Sequence, residues 1–238
     1  MAARIEAVVF DFDGVIRAWP RPAVTEIEGN ARLPRGSIAR IAFGSAVLPD
    51  ALLGRASRRE WHADVARRAE ASFGARGREA ADRWSRLEGT VDPAMLELVG
   101  RVRERLPVAL LSNADRGLRD ELDATGVARA FDVIVISAEI GIAKPDPRTF
   151  LRTAELLGSQ PSACLVVDDA QANVDAAVTL GFVGLRYRSS SETQRAMTRL
   201  GVLSDAAPIE RRRHRPRTPP RDSIESADAT PGCEGPSR

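Results

Sequence analysis

The stretch Ile5-Glu6-Ala7-Val8-Val9-Phe10 runs directly into Asp11-Phe12-Asp13-Gly14-Val15. Its first half is short, apolar and rich in β-branched residues, the pattern of a buried strand. Its second half places two carboxylates one residue apart and follows them with a glycine. Strand side chains alternate between faces, so both acids would point the same way if the strand continued. Like charges that close repel. The conflict is relieved if one acid is protonated, if a cation binds, or if a loop splays the pair. Ligands of α/β folds gather at the carboxyl ends of strands, which favours the cation. Taken alone, the residues also read as an aspartate-rich turn after a core strand.

Downstream, the strand signal disappears from Arg17 to about Val91. Trp61, Val65, Ala69 and Phe73 recur every fourth residue and predict an amphipathic helix; Ile38, Ile41, Ala42 and Ser45 suggest a shorter one. Trp19, Trp61 and Trp84 all fall here and are expected to pack a small helical bundle, with Trp19 or Phe43 as alternative pocket-lining residues. The segment holds 14 Arg against 9 Asp and Glu. A basic lid suits an anionic substrate, and a solvated surface explains the same count.

From Asp92-Pro93, a capping pair, helices and strands alternate. Strands are expected at 107–111, 131–136, 163–167 and 182–185, with helices at about 93–106, 116–126, 147–158, 171–180 and 192–200. Such alternation implies a parallel sheet with helices on both faces, an α/β fold. The predicted division is therefore a core from 1–16 and 92–204, a helical insertion at 17–91, and a tail at 205–238. The tail has six prolines, no aromatic residue and the basic block Arg211-Arg212-Arg213-His214-Arg215-Pro216-Arg217. That composition predicts disorder, with at most weak contact to nucleic acid or acidic partners.

Composition narrows the chemistry. With 238 residues, 43% of them hydrophobic, the chain can bury one full core plus a smaller appendage. No run approaches the roughly 18 apolar residues of a membrane span, and the N-terminus lacks the pattern of a signal peptide, so a cytoplasmic, soluble protein is expected. Two cysteines, Cys164 and Cys233, make no disulfide framework. The formal charge of +2 favours no class of partner. There are 34 arginines but a single lysine, Lys144. Where arginine is the default cation, a lone lysine points to a site that needs a compact ammonium, although the two substitute freely on surfaces. No phosphate-binding glycine loop of the Walker or dinucleotide type is present, and two histidines, His62 and His214, support neither a triad nor a histidine metal site.

The parallel sheet brings four polar loops to one edge: Asp11/Asp13, Ser112/Asn113, Gly141-Ile142-Ala143-Lys144-Pro145-Asp146 and Asp168/Asp169. Carboxylates, one small hydroxyl and one lysine suit phosphoryl transfer with a hard dication, and oxygen ligands favour Mg2+ over zinc or copper. In that order, Asp11-Phe12-Asp13-Gly14-Val15, Leu111-Ser112-Asn113, Lys144-Pro145-Asp146 and Val167-Asp168-Asp169 resemble the four motifs of the haloacid dehalogenase-like (HAD) hydrolase superfamily. The resemblance covers about residues 5–16 and 92–190. It implies a Rossmann-like core with residues 17–91 as a small helical cap inserted after the first strand.

On this resemblance Asp11 would be the nucleophile and Asp13 the acid–base group. Ser112, Asn113 and Lys144 would bind the phosphoryl group, with Ser112 and Lys144 among the catalytic residues. Asp11, Asp13 through its backbone carbonyl, Asp168 and Asp169 would hold Mg2+, with Asp169 favoured over Asp168 as the main ligand. Relatives often place an aspartate where this chain has Asn173. The implied activity is a magnesium-dependent phosphatase acting on a small phosphorylated metabolite through an aspartyl-phosphate. Specificity is assigned to the cap and its hinges, with Arg17, Trp19, Phe43 and Arg55 as candidates. A phosphomutase uses the same core. A haloacid dehalogenase has no use for Asp13, because a halide leaves without a proton. A phosphonatase would want a lysine in the cap. The alternative of another class is a non-catalytic binding or regulatory protein.

Overall fold

The computed structural model describes residues 4–204. The expectations for the tail, including Cys233 and the basic block, lie outside the described residues. The first strand, β1 (Ala7–Phe10), is buried along its whole length. Val8 and Phe10 pack on one face of the sheet and Ala7 and Val9 on the other, which is why the run is uninterruptedly apolar.

After β1 the chain makes a tight loop and a two-residue strand, β2 (Arg17–Ala18), then enters five helices: α1 (Arg21–Asn30), α2 (Ser37–Phe43), α3 (Val47–Leu52), α4 (Arg58–Phe73) and α5 (Ala75–Trp84). It returns through β3 (Thr90–Val91), which pairs antiparallel with β2. The helices bury a cluster of their own, including Ile27, Ile38, Val65, Ala69 and Ala80. Ser57 and Glu60 form a reciprocal cap that fixes the start of α4. Trp61 and Trp84 pack here edge to face, with ring centroids 5.6 Å apart. Trp19 does not join them. It stays 46% exposed beside β2, because its indole N–H is bonded elsewhere. Ser45 also falls outside its expected helix and bonds Asp64 of α4 at 2.7 Å.

The remainder alternates: α6 (Pro93–Arg103), β4 (Val108–Ser112), α7 (Gly117–Ala124), β5 (Val133–Ile136), α8 (Ser137–Ile140), α9 (Pro147–Leu156), β6 (Cys164–Asp168), α10 (Gln171–Thr179), β7 (Val183–Arg186) and α11 (Ser190–Arg199). Asp92 and Asp146 accept from backbone N–H groups at the starts of α6 and α9, each followed by proline in the first turn. The sheet is parallel with strand order β5-β4-β1-β6-β7. This is the expected α/β Rossmann-like architecture, with β1 at the centre. Met95, Leu98, Val99, Leu118 and Met197 cover one face, and Phe150, Ala154 and Ala177 the other. Each large apolar side chain buried this way contributes about 1.5–3 kcal/mol. Among the described residues no helix is long and apolar enough to cross a membrane.

Candidate active site

Because β1 lies between β4 and β6, their carboxyl ends deliver Asp11, Ser112 and Asp168 to adjacent positions. The backbone N–H of Asp11 donates to the Val167 carbonyl at 2.9 Å, so Asp11 stays tied to β6 although β1 ends at Phe10. Beyond it the chain turns sharply. The amides of Ile16 and Arg17 both donate to the Phe12 carbonyl, and Gly14 donates to that of Arg17. The turn ends the strand alternation, so Asp11 and Asp13 part company: a loop splays them.

Lys144 lies on the loop after α8. The Asn113 side chain pairs with the main chain of Lys144 in both directions, each bond 2.8 Å, and so holds this loop against the end of β4. The ammonium is nearly sealed from solvent, 2.9 Å from Asp11 Oδ1 and 2.7 Å from Asp168 Oδ2. Asp168 is fully engaged. Beyond Lys144 it accepts from the Ala170 N–H at 2.9 Å, and the Asn173 amide reaches both its oxygens at 3.0 Å. Asn173 thus serves as a neutral brace for Asp168. Asp169 is half-buried and forms no ion pair among the described residues. Its carboxylate occupies the space over Gly14, where φ is +88° and a Cβ would collide with it. The glycine after the two acids therefore makes room for a third.

Carboxylate oxygens of Asp11, Asp168 and Asp169 lie within 4.8 Å of one another. Burial pushes Asp11 up to about 7; Lys144 opposes that rise and Asp168 adds to it. Asp169 is raised too, by burial first and then by Asp168. Burial disfavours the Lys144 ammonium, yet Asp11 and Asp168 outweigh it and hold the lysine above its ordinary value. Three acids against one cation leave uncompensated negative charge. Hard oxygen donors around Asp169, which forms no ion pair among the described residues, fit a magnesium ion. Ser112 stands at the carboxyl end of the neighbouring strand β4: its residue is 0% exposed, and its Oγ is the one buried side-chain polar atom among the described residues without a hydrogen-bond partner. A buried hydroxyl without a protein partner is free to bond a ligand or a water.

The sequence of this fold and site is recognisable. A family model for haloacid dehalogenase-like hydrolase matches residues 5–181. The chain belongs to this family. This HAD-like hydrolase is 31% identical over 219 residues to the phosphatase MT3486 of Mycobacterium tuberculosis, spanning 85% of this chain and 98% of that protein. It is 28% identical over 192 residues to the fructose-1-phosphate phosphatase YqaB of Escherichia coli, spanning 79% and 99%. A shorter stretch of 86 residues is 38% identical to an uncharacterised protein of Haemophilus influenzae and spans only 43% of that relative. The fold matches that of a HAD family enzyme of Bacteroides thetaiotaomicron with a TM-score of 0.63 at 19% identity, covering 82% of this chain and 98% of the other. That enzyme has also been solved in complex with magnesium and inorganic phosphate.

Asp11, Lys144, Asp168 and Asp169 thus meet at one place, and Ser112 ends the strand next to β1. Asp13 turns elsewhere: its carboxylate is held by Arg17 and by the Trp19 indole. Asn113 spends its amide on the Lys144 main chain. Of the specificity candidates, Phe43 is 71% exposed and Arg55 pairs with Asp50 at 2.7 Å. The bracing by Asn113 has no signature in the sequence, because a side chain that grips a loop 31 residues away carries no local spacing rule.

Proposed function

We propose that this HAD-like hydrolase is a magnesium-dependent phosphatase that acts on a small phosphorylated metabolite through an aspartyl-phosphate on Asp11. The observation that carries this reading is the Asp11 carboxylate clamped by Lys144, beside Asp169, with the unpartnered Ser112 hydroxyl buried at the same sheet edge. Lys144 and the Phe12 N–H both face Asp11 Oδ1, and no hydrogen bond from the described residues reaches Oδ2. Oδ2 is therefore the oxygen assigned to attack on phosphorus.

As the new O–P bond forms, the bond from phosphorus to the substrate oxygen breaks, and Asp13 supplies the proton which that oxygen needs. Asp13 then takes a proton from the water that hydrolyses the aspartyl-phosphate, returning Asp11 as a carboxylate. The Ser112 hydroxyl donates to a phosphoryl oxygen and gains the partner it lacks. Lys144 lowers the repulsion between the incoming phosphate and Asp11. Asp11, Asp169 and the Asp13 carbonyl, with Asp168 behind them, would hold magnesium, which would supply further neutralisation of phosphoryl charge. Asp169 is the assigned principal ligand, because Asp168 already has its oxygens occupied. Residues 17–91 act as the cap that selects substrate.

Sugar phosphates head the candidate substrates, given the name of the Escherichia coli relative. The test is phosphate release from a panel of phosphorylated metabolites, with magnesium and with chelator. Turnover that needs magnesium and disappears in Asp11→Asn is expected. Release that survives in Asp11→Asn overturns the mechanism.

A further inference from the structure

Both oxygens of the Asp13 carboxylate are engaged by other side chains, and Asp13 does not join the cluster of Asp11, Asp168 and Asp169. Arg17 Nε donates to its Oδ1 at 2.6 Å and Arg17 Nη2 to its Oδ2 at 2.9 Å, while Trp19 Nε1 donates to Oδ1 at 2.8 Å. Two parallel bonds from a planar guanidinium are among the firmest grips a carboxylate receives. To carry a proton to a substrate oxygen, Asp13 has to give up bonds of this fork, because a donating guanidinium cannot share an oxygen lone pair with that proton.

The fork itself is built to stay. Side-chain exposure is 4% for Arg17, against 31% for Asp13 and 35% for Glu121 of α7, which Arg17 Nη1 also contacts. The guanidinium carbon lies 4.6 Å from the Phe12 ring centroid and 4.9 Å from that of Trp19. Gly89 leaves a passage for the arginine stem: a Cβ at 89 would come within 2.6 Å of Arg17 Cγ and Cδ. Arg17 also belongs to β2, whose pairing with β3 closes the two passages between the sheet and the helical insertion. A buried guanidinium stripped of its only carboxylate is strongly unfavourable, and a second one removes that obstacle. Arg17 has two.

We propose that Arg17 and Glu121 are positioning residues for Asp13. Arg17 holds the Asp13 carboxylate in a withdrawn place, and Glu121 keeps Arg17 charge-paired when Asp13 turns toward the substrate. This rests on the acid–base role given to Asp13 above. Glu121 touches nothing at the reacting centre. It acts by making the departure of Asp13 tolerable.

The chain has three tryptophans, so it gives three indole N–H signals in an NMR spectrum, and Trp19→Phe assigns the one bonded to Asp13. Magnesium and inorganic phosphate are added to the intact protein, and phosphate binding is measured separately by calorimetry. The expected result is that the Trp19 signal moves in the wild type and moves less than half as far in Glu121→Gln. In the same variant kcat falls about tenfold at unchanged KM, the size of a lost charge-assisted bond, and Tm stays within about 3 °C, as for a partly exposed residue. Phosphate binding with an unmoved Trp19 signal overturns this proposal and leaves the phosphatase reading intact. So does a Glu121→Gln variant with unaltered kcat, or one in which Tm and KM shift together as for a structural staple. Absence of any phosphate binding removes both.

Discussion

Replacing Asp11 by asparagine should stabilise the metal-free protein, and by an amount that grows with pH. Burial lifts the Asp11 pKa from the ordinary 3.8 to about 7. Between those two values the native state binds more protons than the unfolded chain, so stability falls as pH rises through the window. At about 1.4 kcal/mol per pH unit, the interval corresponds to a ceiling of about 4 kcal/mol, reached once the pH has passed 7. Lys144 adds no slope here: its raised pKa keeps its contribution in full until the pH approaches the ordinary lysine range. His62, depressed by burial, slopes the other way but is common to both proteins and cancels in their difference. Asparagine retains an oxygen for the Phe12 N–H and leaves Lys144 paired with Asp168. The assay is urea unfolding of wild type and Asp11→Asn in chelator, near pH 5 and near pH 8. The variant should exceed the wild type by about 1.5 kcal/mol at the lower pH, which already lies inside the window, and by about 4 kcal/mol, roughly 8–16 °C in Tm, at the higher. Magnesium should restore the wild type at pH 8, by about 2.7 kcal/mol at a hundredfold excess over its Kd. A difference that is flat or shrinks with pH would show that Asp11 is not a strained, buried carboxylate.

Ser112→Ala removes a hydroxyl that has no partner among the described residues, so the unfolding free energy from urea titration should hold or rise by about 1 kcal/mol while kcat/KM drops about tenfold or more; a clear loss of stability would mean the hydroxyl is already satisfied. Lys144→Arg forces a larger fork between two carboxylates at a site 6% exposed, and phosphate release should fall about a hundredfold or more. Near-normal release would make the lone lysine an accident of composition. Removing residues after Asp205 should leave turnover and Tm nearly unchanged, judged from the composition of that segment; a fall in either would make it part of the working enzyme.

The central sheet was legible because its strands are apolar on both faces: β1, β4 and β6 declare themselves by composition alone, and their common edge follows from parallel topology. The meeting of Asp11, Lys144 and Asp168 follows from the same rule. Other elements carry little local signal. The β2–β3 pair is two residues on each side, too short for any period to register, and α5 buries only Gly77, Ala80 and Ala81, so its inner face looks like its outer one. Asp13 shows a deeper limit. The alternation rule applied to it only while the strand continued, and the strand stops at Phe10. What turns Asp13 aside is Arg17, whose burial between two aromatic rings depends on Gly89 and Glu121, 72 and 104 positions away. Trp19 misled for the same reason: an indole N–H with a carboxylate partner stays at the seam instead of joining the other tryptophans.

Lys144 carries the sole ε-amine of the chain, and it points inward between two carboxylates. An acylating reagent that attacks free amines will spare it while the fold is closed, because a paired, protonated nitrogen has no lone pair to offer. Modification at this position therefore counts openings of the sheet edge where Asp11 and Asp168 meet, one event per molecule.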